Sequence, residues 1–133
     1  MHVIIRIEEL NKELHLFNVH LNLFEKARLQ QLQWISERFK SQVPSNCGFI
    51  LAGDFNDWTQ KVHTSTVETM QVNETFECLH KKLPVSFPSI FPTLPLDRIY
   101  VKNLEVKSAH VLSGKDWASL SDHLPLLVDL EIK

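Results

Sequence analysis

The chain predicts an α/β (α+β) fold, a mixed and mostly antiparallel sheet with a helix layer on one face. Short runs rich in β-branched and apolar residues recur along it: "HVIIRIEE", "ELHLFNVHL", "GFILAG", "LDRIYVKN", "LEVKSAHVL" and "LPLLVDLEI". Each has strand length. One long stretch, "EKARLQQLQWISERFK" at 25–40, has no Gly or Pro and spaces its apolar residues as a helix does. The resulting order, β-β-α-β-(loop, short α)-β-β-β, is that of a mixed layered fold.

Taken in order, "HVIIRIEE" is a strand and "LNKE" a polar break with Asn11 as turn former. "ELHLFNVHL" follows as its hairpin partner. It is apolar on both faces apart from His15, Asn18 and His20, which suits a central strand. On the helix, Phe24, Ala27, Leu32, Ile35 and Phe39 share one face. Arg28 falls in the middle of that face with Gln31 beside it; such a charge snorkels, as helical arginines usually do, or finds a partner. "QVPSNCG" ends the helix, punctuated by Pro44 and Gly48.

"GFILAG" is a short buried strand and "DFNDWTQKVHTST" a polar loop. "NETFECLHKKL" is a short helix that Asn73 can cap. Residues 84–95 hold Pro84, Pro88, Pro92 and Pro95 with Phe87 and Phe91 between them, a stiff extended loop. "LDRIYVKN" and "LEVKSAHVL" are strands, "SGKDWASLSDH" is a polar loop, and "LPLLVDLEI" closes the chain with Asp129 and Glu131 on its wet face.

With 133 residues and no linker or repeat, the whole of 1–133 is one unit. A net charge of −2 rules out a strong global pull toward nucleic acid or anionic membranes. Cys47 and Cys78 lack the spacing of a metal site or redox pair and are expected as two reduced, buried thiols. No signal peptide or membrane-length apolar run is visible, so the expected location is cytoplasmic.

Polar groups gather at strand ends. His20 ends one strand, Asp54, Asn56 and Asp57 follow another, Asp97 opens a third, and Asp122 and His123 precede the last. Carboxylates, an amide and two imidazoles suit a hard divalent cation together with proton transfer. Each group also has a plainer reading. "GDFN" and "SDH" can be turns, Asp97 beside Arg98 a local charge pair, and His20 a core histidine. His2, His15, His63, His80 and His110 show no convergent spacing and are read as structural.

"NVHL" at 18–21, Arg28 with Gln31, "LAGDFN" at 51–56, "LDRIYV" at 96–101 and "SDHLPL" at 121–126 occur in this order. Together they resemble the C-terminal half of the endonuclease/exonuclease/phosphatase (DNase I-like) family, and are similar to bacterial members of uncertain substrate. The resemblance implies half of a two-sheet sandwich. It implies Mg²⁺- or Mn²⁺-assisted in-line hydrolysis of a phosphate ester, whether nucleic acid, phospholipid or small phosphoester. Asp54 would orient or deprotonate the water, with Asn56 positioning the phosphoryl group. His123 would stabilise developing charge, and His20 would meet a phosphate oxygen or assist the leaving group. Asp97 would hold an imidazole in its tautomer, and Asp122 would orient a histidine or join the metal shell. Asp54, Asn56 and Asp122 would be the metal ligands, and Arg28 and Gln31 would brace loops under the site. Asp57 receives no catalytic role, and Phe55 would point into packing.

The family's early Asn and its principal metal-binding Glu have no counterpart among these 133 residues. One sheet and its helix layer are expected, with an apolar inner face left open. Leaving several hundred Å² of such a face wet forgoes on the order of 10 kcal/mol. Self-association, or a separately made first half, would cover it. The alternative function is therefore a non-catalytic remnant or split-protein half that binds a complementary partner.

Overall fold

The predicted hairpin forms: β1 (His2–Ile7) pairs antiparallel with β2 (Lys12–His20). A 3-10 turn at Glu8–Leu10 reverses the chain, and Asn11 closes it in the left-handed region at φ 49°, where Asn is tolerated better than most residues. α1 (Glu25–Gln42) then crosses over to β3 (Gly48–Asp54), which lies parallel to β2. The computed structural model describes residues 1–132; Lys133, the last residue of the predicted unit, lies outside them.

The stretch expected as a polar loop after β3 contains α2 (Lys61–Met70). Its buried face consists of Val62, His63, Thr66 and Met70. Half of that face is polar, so the helical stripe has little hydrophobic contrast in sequence. Thr66 satisfies its hydroxyl within the helix by donating to Val62 O at 2.7 Å. β4 (Asn73–Glu74) and α3 (Thr75–His80) follow. The cap of α3 is Glu74, whose carboxylate accepts from Glu77 N at 2.9 Å, and not the expected Asn73.

β5 (Asp97–Lys102) lies antiparallel to β3 and β4, giving a five-stranded sheet in the order β1-β2-β3-β5-β4. Of its pairings only β2–β3 is parallel. β6 (Leu104–Val111) and β7 (Leu126–Ile132) then form a separate two-stranded antiparallel sheet. This corrects the expectation of a single sheet. The break is made at Asn103, which sits at φ 56° and donates through Nδ2 to Ser45 O and Cys47 O. That left-handed turn takes the chain off the first sheet. α4 (Lys115–Leu120) lies where "SGKDWASLSDH" was expected as loop; none of its residues is buried, so it has no apolar stripe to read.

One face of the five-stranded sheet carries the core. Phe17, Phe49, Leu51 and Tyr100 pack with Leu32 and Phe39 of α1 and with Val62 and Met70 of α2. The Phe39 and Phe49 rings lie 4.5 Å apart. On the other face Leu14, Leu16, Ile50 and Ala52 are half-buried. Asp129 and Glu131 alternate outward on β7 as expected. The cysteines differ from expectation: both are free thiols, but Cys47 is half-buried and Cys78 exposed. No helix among the described residues is long and apolar enough to cross a membrane.

Candidate active site

Strand register brings the first three site residues together. His20 pairs with Asp54 across β2–β3, and Asp54 pairs with Asp97 across β3–β5. Cross-strand partners share one face of a sheet. One row over three neighbouring strands therefore presents an imidazole and two carboxylates at a single edge. His20 Nε2 lies 3.5 Å from Asp54 Oδ2, with His20 largely exposed. Gly53 allows this geometry: its φ is 140°, and a Cβ there would lie 1.9 Å from Val19 O on the adjacent strand.

The turn reading of "GDFN" holds, and the same turn sets Asp54 at the edge occupied by His20 and Asp97. Asp54 Oδ1 accepts from Asn56 N at 2.8 Å, an Asx turn that fixes the carboxylate and leaves Oδ2 toward His20. Phe55 is fully buried and packs edge-on against Tyr100 at 5.2 Å. Asn56 is held at φ 48° and donates through Nδ2 to Leu21 O at 2.8 Å. Its Oδ1 is the end of the amide not used by that bond.

His123 arrives from the loop before β7, and its Nδ1 meets Asp97 Oδ2 at 2.6 Å. Ser86 Oγ donates to the same oxygen at 2.6 Å. The proline-rich loop clamps this assembly, since Leu124 N donates to Ser86 O and Ser89 N to Asp122 O. The Phe87 ring lies 4.9 Å from that of His123. Asp97 thus orients the imidazole, a role left open between it and Asp122. Asp122 instead stands at the pocket wall.

The expected local pair of Asp97 with Arg98 does not form. Arg98 points to the opposite face, fully buried, with Nη1 3.4 Å from Asp57 Oδ2 and Nη2 donating to Asp57 O at 2.8 Å. Asp57 Oδ2 in turn accepts from His63 N at 2.9 Å at the start of α2. Asp57 is therefore an anchor for the loop after β3.

Arg28 does not snorkel: it is 1% exposed. Its Nη1 donates to Leu23 O at 2.5 Å and Asn22 O at 3.4 Å, and its guanidinium lies 4.9 Å from the Trp58 ring. Gln31 Oε1 accepts from Asn22 N at 2.8 Å. The two side chains hold Asn22 and Leu23 of the loop that follows His20.

His20, Asp54, Asn56, Asp97, Asp122 and His123 all line one open pocket of about 590 Å³, with Leu23, Trp58, Phe87, Leu94 and Leu96. Among the described residues no Lys or Arg lines it. Burial raises the Asp54 carboxyl above its usual range and the Asp97 charge adds to this, against the Asn56 N–H, His123 and His20. Burial alone would lower His123, but the hydrogen bond to Asp97 and the charges of Asp97, Asp54 and Asp122 outweigh it and raise its pKa. Both shifts favour the protonated form of the group, the carboxyl through burial and the imidazole through its acidic neighbours.

Asp54, Asn56 and Asp122 supply only oxygen donors, which matches Mg²⁺ or Mn²⁺ in kind. They are fewer than an octahedral ion takes, and among the described residues the rim's His and Asp donors do not close into a tight cluster of three. Water, phosphate oxygens and further donors would complete the shell. Ser86 and the pairing of Arg98 with Asp57 were missed in sequence; an isolated serine among prolines carries no signal of its own.

The uncharacterized protein YbhP of Escherichia coli (strain K12) is 37% identical over 121 residues, covering 91% of this chain and 47% of that protein. The chain thus spans about half the length of the curated relatives it matches. Among solved structures, the Bacteroides thetaiotaomicron mannosyl-6-phosphatase Bt3783 is similar with a TM-score of 0.75 at 25% identity, over 94% of this chain and 54% of that one. A functionally unknown conserved protein from Enterococcus faecalis V583 is similar at 0.77 and 25%, over 92% and 52%. The model of the Endonuclease/Exonuclease/phosphatase family matches residues 2–123, a span that contains every residue of the rim. The chain belongs to the endonuclease/exonuclease/phosphatase family.

Proposed function

We propose that the rim hydrolyses a phosphate ester by attack of water, with Asp54 as the proton acceptor. The observation that carries this is the row His20–Asp54–Asp97 completed by His123 in one pocket. Burial leaves Asp54 more basic than an exposed aspartate, so it takes a proton from water more readily. Asp97 holds His123 through Nδ1, so the imidazole's Nε2 is the end available to a phosphoryl oxygen. His20, exposed beside Asp54, serves the leaving-group oxygen, and Asn56 offers Oδ1 to the phosphoryl group or its water. Asp54, Asn56 and Asp122 would hold Mg²⁺ or Mn²⁺, which when bound neutralises charge on the phosphate. The expected principal Glu ligand would come from the complementary half of the domain.

The pocket favours a small phosphoester with an apolar or ring-shaped leaving group over a nucleic-acid backbone. It has an apolar wall of Leu23, Trp58 and Phe87 and, among the described residues, no Lys or Arg to track repeated phosphates. The mannosyl-6-phosphatase among the similar structures fits the same class. A second reading, a half that acts only with a partner, is favoured by the half-buried sheet face at Leu14, Leu16, Ile50 and Ala52.

The test is turnover of chromogenic phosphomonoesters and phosphodiesters with Mg²⁺ or Mn²⁺, by the chain alone and with a first half supplied in trans. Metal-dependent turnover that falls at least about a hundredfold in Asp54→Ala supports the hydrolase. Turnover only in trans supports the split form of the same enzyme, and none in either setting overturns the proposal.

A further inference from the structure

A second group of donors lies at the opposite end of β2 and β3, roughly 17 Å from His20 by the rise of five strand residues. Glu13 and His15 are two residues apart on β2 and so share a face. Cys47 precedes the Leu14–Gly48 pair by one residue, which sets it level with Glu13 across the parallel ladder. One donor atom from each of Glu13, His15 and Cys47 lies within 4.8 Å of the others. Glu13 Oε2 is 3.9 Å from His15 Nε2.

His15 is 2% exposed, and its Nε2 is a buried polar atom without a hydrogen-bond partner. Such atoms are uncommon in folded proteins, and a bound ion is one way to satisfy them. The tautomer is set by a relay. Gln42 Oε1 can only accept, so His2 Nδ1, 3.2 Å away, carries the proton. His2 Nε2 is then an acceptor, and His15 Nδ1–H donates to it at 3.0 Å. His15 Nε2 therefore bears a lone pair aimed toward the carboxylate and the thiol. A ligating imidazole whose other nitrogen donates to a fixed neighbour is the usual arrangement at metal sites.

Sulfur, nitrogen and oxygen donors together select a borderline-soft ion over Mg²⁺ or Ca²⁺. Tetrahedral Zn²⁺ bonds of 2.0–2.3 Å place ligands about 3.5 Å apart, so small side-chain rotations would close this group. Glu13 and Cys47 are partly exposed and can make them. Arg6 occupies Glu13 Oε1 at 3.1 Å and leaves Oε2 for the ion. The backbone of Cys47 is fixed by Asn103 Nδ2 donating to its carbonyl. Glu13 and Cys47 also border an open cavity of about 460 Å³, lined too by Arg6, Asn11, Lys12 and Asn46, from which solvent would reach a fourth position.

We propose that Glu13, His15 and Cys47 form a site for a borderline-soft divalent cation, Zn²⁺ by its chemistry, separate from the hydrolytic rim. Binding replaces the Cys47 thiol proton, which leaves to solvent, and involves no redox step. The ion would tie the β1–β2 hairpin to the turn that enters β3. Cys47 lies far in sequence from Glu13 and His15, so no spacing motif marks the group.

The test is a Co²⁺ titration of the reduced, full chain followed by Zn²⁺ competition. The expected result is a thiolate-to-cobalt charge-transfer band that saturates at one equivalent and is displaced by Zn²⁺. It should vanish in Cys47→Ser and persist in Cys78→Ser. Glu13→Gln and His2→Phe should weaken binding at least about tenfold. Glu13 is on the surface, so weaker binding in Glu13→Gln with an unchanged apo melting temperature separates a lost ligand from a lost fold. Zn²⁺ should raise the melting temperature of the wild type and not of Cys47→Ser. No thiolate band, a band that follows Cys78, or binding unchanged in both Cys47→Ser and Glu13→Gln would overturn the assignment. Cation binding at the rim alone does the same, since no cysteine lines that pocket.

Discussion

Replacing Asp97 by Asn isolates the pair on which the proposed chemistry turns. Asp97 Oδ2 lies 2.6 Å from His123 Nδ1 and also accepts from Ser86 Oγ. A charge-assisted hydrogen bond is worth about 1.5–3 kcal/mol. The two side chains are 21% and 26% exposed, so solvent screening puts the value toward the lower end. Carried into the transition state, about 1.4–2.7 kcal/mol is a tenfold to hundredfold loss in kcat/KM. Asn preserves shape and can still accept from Ser86, so the loop should keep its place. The charge is lost, and with it the main influence that raises the His123 pKa. A two-dimensional NMR pH titration of the imidazole should show that pKa falling in Asp97→Asn. The sign for stability follows. A histidine raised above 6.5 in the folded state contributes stability fully present below 6.5 and lost as pH rises through its folded value. Asp97→Asn should therefore lose more stability in acid than at pH 8. An unmoved His123 pKa, or a loss of stability independent of pH, refutes the reasoning.

Three further substitutions probe the scaffold. Arg28→Met removes the bonds to Leu23 O and Asn22 O and the contact with Trp58. Kinetics should show about a tenfold fall in kcat/KM, while urea denaturation shifts by less than about 1–1.5 kcal/mol, because an apolar chain of similar length fills the buried space. A stability loss with unchanged kinetics contradicts the bracing role. Gly53→Ala drives a Cβ into Val19 O and should cost at least about 3 kcal/mol in chemical denaturation; a neutral result would mean that β2 and β3 can move apart at the site. Glu74 is buried with its carboxyl raised to about 7 from 4.5. Its protonated form is therefore favoured in the fold, and stability is full below pH 4.5 and is lost as pH rises through about 7. Glu74→Gln should abolish that component and stabilise the chain at pH 8 by on the order of 3 kcal/mol, as read from denaturation midpoints at pH 5 and pH 8.

What was legible in sequence followed from period and position. His20, Asp54 and Asp97 each sit where an apolar run of strand length begins or ends, so their meeting at one edge needed only the sheet order. The resemblance added His123 and the bracing pair Arg28 and Gln31. Features whose physics is not local stayed hidden. α2 buries His63 and Thr66 among its apolar residues, and α4 buries nothing, so neither shows a helical stripe. The second sheet depends on one left-handed residue, Asn103, that looks like any strand-end polar group. Arg98 reads as the partner of its neighbour Asp97, because a one-residue step along a strand reverses the face and only the fold reveals Asp57 on the other side. Ser86 acquires its role only when the proline-rich loop folds over Asp97.

The convergence of the rim is tested most directly by a crystal structure of the chain with Mn²⁺ and inorganic phosphate. The account predicts phosphate in the pocket between His20 and His123, within hydrogen-bond reach of His123 Nε2, and Mn²⁺ against Asp54 or Asp122. Phosphate seated elsewhere, or His20, Asp54 and Asp97 turned to different faces of the sheet, would contradict it.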